Sequence, residues 1–164
     1  MTEDAQCMAL AEGLRTSAEV RAWLLERTSF RDHRAHARLL DVEMLAARPA
    51  KAWWRHWWSN LPNGWQAETD VFLVFEVPQT GARFAIFVEN KKAKGKFTPN
   101  QPEKYAMMAA HWAGKPKYLN YTSHQTVLLA PQSFRDRFPE ECGMFDCFIP
   151  HEEVAAVLPA FSVH

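Results

Sequence analysis

The sequence predicts an α/β domain, in which a mixed β-sheet with a central antiparallel hairpin is flanked by helices. Three observations predict it. Two apolar runs, residues 71–77 and 83–88, flank the turn Pro78-Gln79-Thr80-Gly81, a pattern that reads as two strands of a hairpin. Helical spacing precedes and follows that hairpin. A third short apolar run, residues 126–130, ends at Pro131 and has the character of a buried strand. The predicted order is helix, helix, hairpin, helix, strand, strand, helix, which calls for a sheet with helices packed on it.

The 164 residues, 48% of them hydrophobic, suit one compact domain with a substantial core. Residues 1–164 are therefore read as a single domain, with 1–15 weakly ordered or loosely helical. The formal net charge is zero, so any attraction to nucleic acid must be local, and no global pull toward an anionic membrane exists. No apolar run approaches the roughly eighteen residues of a transmembrane span. The acidic start Met1-Thr2-Glu3-Asp4 lacks the layout of a signal peptide, and a cytoplasmic location is expected. Cys7, Cys142 and Cys147 are too few for a disulfide framework. Cys142, Cys147 and His151 make a zinc site conceivable, but the spacing is longer than a usual knuckle, and reduced thiols are the preferred reading.

Taken in order, Thr16-Ser17-Ala18-Glu19 fits a capping box. The helix after it carries Val20, Trp23 and Leu24 on one stripe, with Arg27 as a further member. A second helix is expected over 32–47, with Ala35, Leu39, Val42 and Ala46 facing inward. In Trp53-Trp54-Arg55-His56-Trp57-Trp58, helical spacing would gather four tryptophans on one face. Such a face either packs inside the protein or stacks on unpaired bases, and packing is preferred. Pro62-Asn63-Gly64 is a turn. After the hairpin, Lys92 to Lys96 form a basic loop. A helix then runs from near Asn100 to Gly114, a plausible C-cap. Phe134 to Phe138 is a helical turn, Phe145 to Ile149 a terminal strand, and a last helix follows Pro150.

The hairpin holds the chemistry. Symmetric fold-back about the turn pairs Glu76 with Arg83, a favourable cross-strand contact. The same register brings Asp70 opposite Glu89 at the open end, with Lys91 on the same side. Two carboxylates placed opposite one another destabilise a sheet, and a divalent cation would offset the repulsion. Two carboxylates and a backbone carbonyl, that of Asn90, suit magnesium or manganese, since hard cations take oxygen ligands. An ammonium at Lys91 would orient an attacking water or stabilise a phosphate oxygen. Ordinary solvated charges at a hairpin end are the alternative.

Thr69-Asp70, eighteen residues, then Glu89-Asn90-Lys91 resembles the PD-(D/E)xK nuclease superfamily, with threonine in place of the motif proline. Gln101-Pro102-Glu103-Lys104-Tyr105 is similar to the Gln-x-x-x-Tyr motif of one nuclease subgroup. Residues 67–105 resemble uncharacterised bacterial members of the superfamily. The resemblance implies a restriction-endonuclease-like fold and metal-dependent hydrolysis of DNA phosphodiester bonds. Asp70 and Glu89 would bind Mg or Mn, Lys91 would assist the attacking water, and Gln101 and Tyr105 would contact DNA or support the site. Asn100 is read as N-cap of their helix, with Pro102 in its first turn and Glu103 completing the box. The alternative makes Gln101 the capping partner of Thr98.

Superfamily members often add an acid from an N-terminal helix. Glu43 and Glu26 are the candidates, with Glu43 bordering the expected buried stripe. Lys92, Lys94, Lys96 and Lys104 form a basic region beside the carboxylates, suited to phosphate contacts. A non-catalytic nucleic-acid- or protein-binding module on the same fold is the alternative function. A homodimer through the aromatic surface is a third possibility.

Overall fold

The computed structural model describes residues 1–49 and 52–162. Among the described residues seven strands form two sheets: β1 (Arg38–Leu39), β2 (Trp57–Asn60), β3 (Gln66–Thr69), β4 (Val71–Glu76), β5 (Arg83–Asn90), β6 (Ser123–Ala130) and β7 (Cys147–Pro150). The larger sheet has the order β1-β4-β5-β6-β7, and β2 pairs with β3 in a separate two-stranded ribbon. The β1–β4 and β4–β5 pairs are antiparallel, whereas β5–β6 and β6–β7 are parallel. The helices are α1 (Glu3–Thr16), α2 (Ala18–Glu26), α3 (Asp41–Ala47), α4 (Gln101–Trp112), α5 (Gln132–Arg137), α6 (Pro139–Cys142) and α7 (His151–Val154). This is a mixed sheet with a central antiparallel hairpin and flanking helices. Among the described residues no helix is long and apolar enough to cross a membrane.

The central hairpin has the register read from its charges. Val71 faces Val88, and the ladder runs without slip to Glu76 opposite Arg83. Arg83 Nε donates to Glu76 Oε2 at 2.9 Å. The turn closes by amides of Thr80 and Gly81 donating to the Val77 carbonyl. Gly81 holds φ +72°, a conformation that a side chain would oppose.

Both faces of this hairpin are buried. On one face Phe72 meets Phe87 at 5.0 Å, Trp57 at 5.0 Å and Trp112 of α4 at 5.5 Å. On the other, Phe84 stacks on Phe30 at 4.1 Å and on Phe75 at 5.2 Å. Residue alternation puts Asn90 on that second face, and its side chain reaches Gln6 of α1. Thus α4 and α1 cover opposite faces of the same strand.

Four expectations need correction. Residues 1–15 are not weakly ordered: Thr2 caps α1 by accepting from the Ala5 amide, and Gln6, Cys7, Leu10, Ala11 and Leu14 are buried. The next helix is capped by Ser17, not Thr16. Thr16 ends α1, its hydroxyl bonded to the Glu12 carbonyl. Residues 32–47 are not one helix. The inward residues Ala37 and Leu39 flank the exposed Arg38 at the spacing of a strand, β1 adds to the edge of β4, only 41–47 is helical, and Val42 is 70% exposed. The tryptophan segment is not helical either. Trp53, Trp54 and Trp57 are buried as the preferred packing reading requires, but β2 turns Trp58 outward, 52% exposed. What remains of the aromatic surface proposed for a dimer is Trp58.

The two adjacent tryptophans of β2 should therefore behave oppositely on truncation. Trp57→Ala should cost about 3–5 kcal/mol by opening a core cavity. Trp58→Ala should stay within about 0.5 kcal/mol of the parent. Urea unfolding at equilibrium checks both.

Candidate functional site

Asp70 is the single residue between β3, in the small ribbon, and β4, in the large sheet. The corner is fixed by Thr69, whose buried hydroxyl lies 3.0 Å from the Val71 carbonyl and 3.3 Å from that of Val88. The Asp70 amide donates to Tyr105 Oη at 3.1 Å, and its Oδ2 accepts from the Asn90 amide at 2.9 Å. The N–H and C=O of one strand residue leave the strand on the same side. The Asn90 carbonyl therefore points to the Asp70 edge as its amide does.

Glu89 lies on the α4 face, 3% exposed. Its Oε1 accepts from Lys91 Nζ at 2.9 Å and from Gln101 Nε2 at 2.9 Å. Its Oε2 accepts from Tyr105 Oη at 2.5 Å. Gln101 and Tyr105, one helical turn apart on α4, grip the same carboxylate. The Gln101 side-chain carbonyl also accepts from the Thr98 amide at 3.1 Å. Gln101 thus makes the Thr98 bond of the alternative capping arrangement, and its amide nitrogen still reaches the site. Asn100 sits at φ 60° and makes no side-chain cap, so Glu103 completes no box there.

The Asn90 side chain points the other way. Its amide nitrogen donates to Gln6 Oε1 at 3.0 Å, and its carbonyl accepts from His151 Nε2 at 2.8 Å. Burial pushes His151 down to about 4, leaving a neutral imidazole. The sequence marks neither Gln6 nor His151 for this role. They lie 84 and 61 positions from Asn90, and no local pattern connects them to it.

The electrostatics follow from burial. Asp70 is pushed up to about 8, first by desolvation and then by the Glu89 charge, against the Asn90 amide and Lys91, which favour its ionised form. Glu89 is raised by burial, opposed by Lys91 and the Tyr105 hydroxyl. Tyr105 is held well above the phenol range by burial and by both carboxylates, so it stays a donor. Glu3 of α1 adds negative charge that raises both acids, while its Oε1 accepts the Lys92 amide at 3.1 Å.

Glu43 does not reach this site. It pairs with Arg38 at 2.7 Å, and Arg38 faces Glu76 at the turn end of β4. That end lies about 20 Å from Asp70 by strand rise. Glu26 pairs with Arg34 at 2.9 Å. The N-terminal acids near Asp70 are Glu3 and Asp4, and the signal for them is Thr2 followed by two acids, a helix start. Cys142 is buried, Cys147 Sγ contacts the Arg27 carbonyl at 3.1 Å, and His151 serves Asn90. Their separate partners do not describe a zinc site. Among the described residues no group of three His, Cys, Asp or Glu side chains converges as a ligand set.

In the basic loop Lys94 and Lys96 are exposed, and Lys104 is half-buried on α4. The Lys92 ammonium turns to the Met1 carbonyl. Arg137 fastens the loop with bonds of 2.6 Å to the carbonyls of Ala93 and Gly95. Comparison of the chain with family models, curated proteins and solved structures finds no match.

In metal-free buffer, Asp70 makes a sign-definite contribution to stability. The folded protein holds this proton to about 8, whereas the unfolded chain releases it near 3.8. The native state binds more protons across that window, so stability falls as pH rises through it. Asp70→Asn should therefore melt at least about 4 °C higher than the parent at pH 9, with the difference fading toward pH 4. Thermal melts in EDTA across this range check it.

Proposed function

We propose that this protein is a metal-dependent nuclease of restriction-endonuclease-like fold that hydrolyses DNA phosphodiester bonds. The observation that carries the reading is the convergence of Asp70, Glu89 and Lys91 at one end of the central hairpin, with Lys91 Nζ 2.9 Å from Glu89. A buried acid, Glu89, and a half-buried one, Asp70, each held above its ordinary range by desolvation, are a donor set that a cation would relieve. Magnesium asks for one or two carboxylates and keeps waters of its own. Asp70, Glu89 and the Asn90 carbonyl would hold Mg or Mn, which would supply Lewis-acid polarisation of the phosphate and a more acidic water.

The chain's own groups then have distinct tasks. Lys91 offers an ammonium donor beside Glu89, placed to orient the attacking water and to stabilise negative charge on a phosphate oxygen. Gln101 and Tyr105 hold the two Glu89 oxygens so that its carboxylate stays in one rotamer. Gln6 and His151 fix the Asn90 side chain from the opposite face, which keeps its carbonyl aimed at the Asp70 edge. Lys94, Lys96 and Lys104 line an approach for the phosphate backbone, and Lys92 contributes its charge from the loop's start.

A second reading has its own observation. Lys91 already neutralises Glu89, and Glu89 Oε1 takes two donors. That closed network would suit a non-catalytic nucleic-acid-binding module on the same fold.

Purified protein should cut DNA with Mg or Mn and not in EDTA. Asp70→Ala and Lys91→Ala should each lower the rate by about 10²–10⁴-fold. Calorimetric titration with Mg should show binding that is lost in Asp70→Ala and Glu89→Ala. Undiminished cutting by the Asp70 and Lys91 variants would sink the mechanism, and metal binding independent of both acids would favour the module.

A further inference from the structure

Two adjoining depressions run from Asp70 along the β2–β3 ribbon. The first, about 80 Å³, is lined by Asp70 with Glu3, Asp4 and Cys7. The second, about 590 Å³, is lined by Trp58, Arg48, Lys117 and Tyr118. His56 and Glu68 line both, so the two adjoin across this pair, and the larger forms the cleft beside Trp58. We propose that this cleft holds an unpaired base, stacked on Trp58, of the strand whose phosphate lies at Asp70 and Glu89. The substrate would then be single-stranded or locally unpaired nucleic acid. This rests on the nuclease reading for the place of the phosphate, and on the ribbon alone for the base.

Trp58 is the observation that asks for an occupant. Trp53, Trp54 and Trp57 are all below 10% exposure, while Trp58 keeps half its surface in water. Strand alternation forces one of two neighbouring tryptophans outward, but it does not require the outward residue to be an indole.

Its position is specific. Trp58 faces Glu68 in the ribbon, and Asp70 follows two residues later. Strand rise and spacing put the two Cα atoms roughly 8 Å apart, on the scale of one nucleotide of stretched backbone. A base stacked on Trp58 would thus be next to the phosphate at the carboxylates.

The charges match a nucleotide rather than an apolar partner. No carboxylate among the described residues pairs with the exposed Lys117, whose ammonium lies 5.6 Å from the Tyr118 ring. Arg48 stacks over Trp57 at 4.3 Å and spends one N–H on the Arg55 carbonyl at 3.1 Å, which leaves other guanidinium donors. The carboxylate in this part of the cleft, Glu68, is engaged by His56 at 3.3 Å. Arg48 and Lys117 therefore line the same depression as the exposed Trp58, and cations beside an aromatic side chain hold a single strand by phosphate contact and stacking. A base inside a duplex has both faces already stacked and cannot use Trp58.

The test is binding of fluorescein-labelled (dT)12 and of a duplex of equal length in EDTA, with cutting in Mg measured separately. Wild-type protein should bind the single strand with quenching of tryptophan emission. Trp58→Ala should weaken that binding about 5- to 150-fold, Trp58→Phe should retain most of it, and duplex binding should change less than twofold. Equal single-strand affinity for wild type and Trp58→Ala would overturn the inference, as would equal weakening for single strand and duplex. If wild type fails to cut in Mg yet single-strand binding depends on Trp58, the nuclease reading falls and the stacking site stands. If wild type cuts in Mg and single-strand binding is indifferent to Trp58, the stacking site falls and the nuclease reading stands.

Discussion

The Glu89 carboxylate is buried at the end of the central strand, and much of the surrounding structure is explained by that one fact. An ionised acid taken out of water costs several kcal/mol unless it is paired and hydrogen-bonded. Glu89 receives three donors: the Lys91 ammonium, the Gln101 amide and the Tyr105 hydroxyl. Each comes from a position that the local geometry fixes. Lys91 is two residues on, hence on the same face of the strand. Gln101 and Tyr105 are four apart, hence on the same face of α4. The placement of α4 against the sheet is anchored by Trp112 packing on Phe72 and Phe87. An aromatic core thus sets the position of a helix, and the helix sets the orientation of an acid.

Asp70 is governed by a different constraint. It belongs to no strand and takes its place from the corner between two sheets, which Thr69 and the Tyr105 hydroxyl hold from either side. Tyr105 therefore joins the two acids: it accepts from the Asp70 backbone and donates to the Glu89 side chain. Asn90 does the same through the sheet. Its amide holds Asp70 on one edge, while its side chain is clamped by Gln6 and His151 on the face opposite Glu89. The site is therefore held from both sides of the sheet, and neither α1 nor α7 is remote from it. Helix α1 also brings Glu3 near the pair, which adds to the repulsion that a bound cation would relieve.

How much of this is legible in the sequence divides by range. The hairpin register is legible because Glu76 and Arg83 are close in sequence and only one pairing satisfies both them and the apolar alternation. Glu89 and Lys91 follow from that register, while Asp70 lies one residue beyond its last pair, Val71 with Val88. Gln101 and Tyr105 are legible by helical spacing. What escapes depends on contacts across most of the chain. Gln6 and His151 meet at Asn90 only after α1 and α7 have packed on one face, and Glu3 reaches the site only because α1 is a firm helix. A weakly ordered N-terminus would supply neither α1 residue. Glu43 is misplaced for a related reason. A helical stripe over 32–47 is fitted to a segment of which only 41–47 is helical, while Arg38 and Leu39 form β1.

The tryptophan run shows why period matters more than composition for function. At helical spacing the four indoles would form one continuous surface, and its burial would leave nothing to bind. At strand spacing Trp57 and Trp58 must face opposite ways. Trp57 then completes the aromatic cluster around Phe72, 5.0 Å away, and Trp58 is left on the outer side of the ribbon. The strand that presents Trp58 pairs with the strand that delivers Asp70, so one hairpin carries both an open aromatic face and an acid of the site. The distance between them is set by the β2–β3 ladder and by the corner that Thr69 fixes just past its end, rather than by a flexible loop. A stacked base and the phosphate next to it would therefore be measured against a rigid ruler, in which packing of Trp57 holds the position of Trp58.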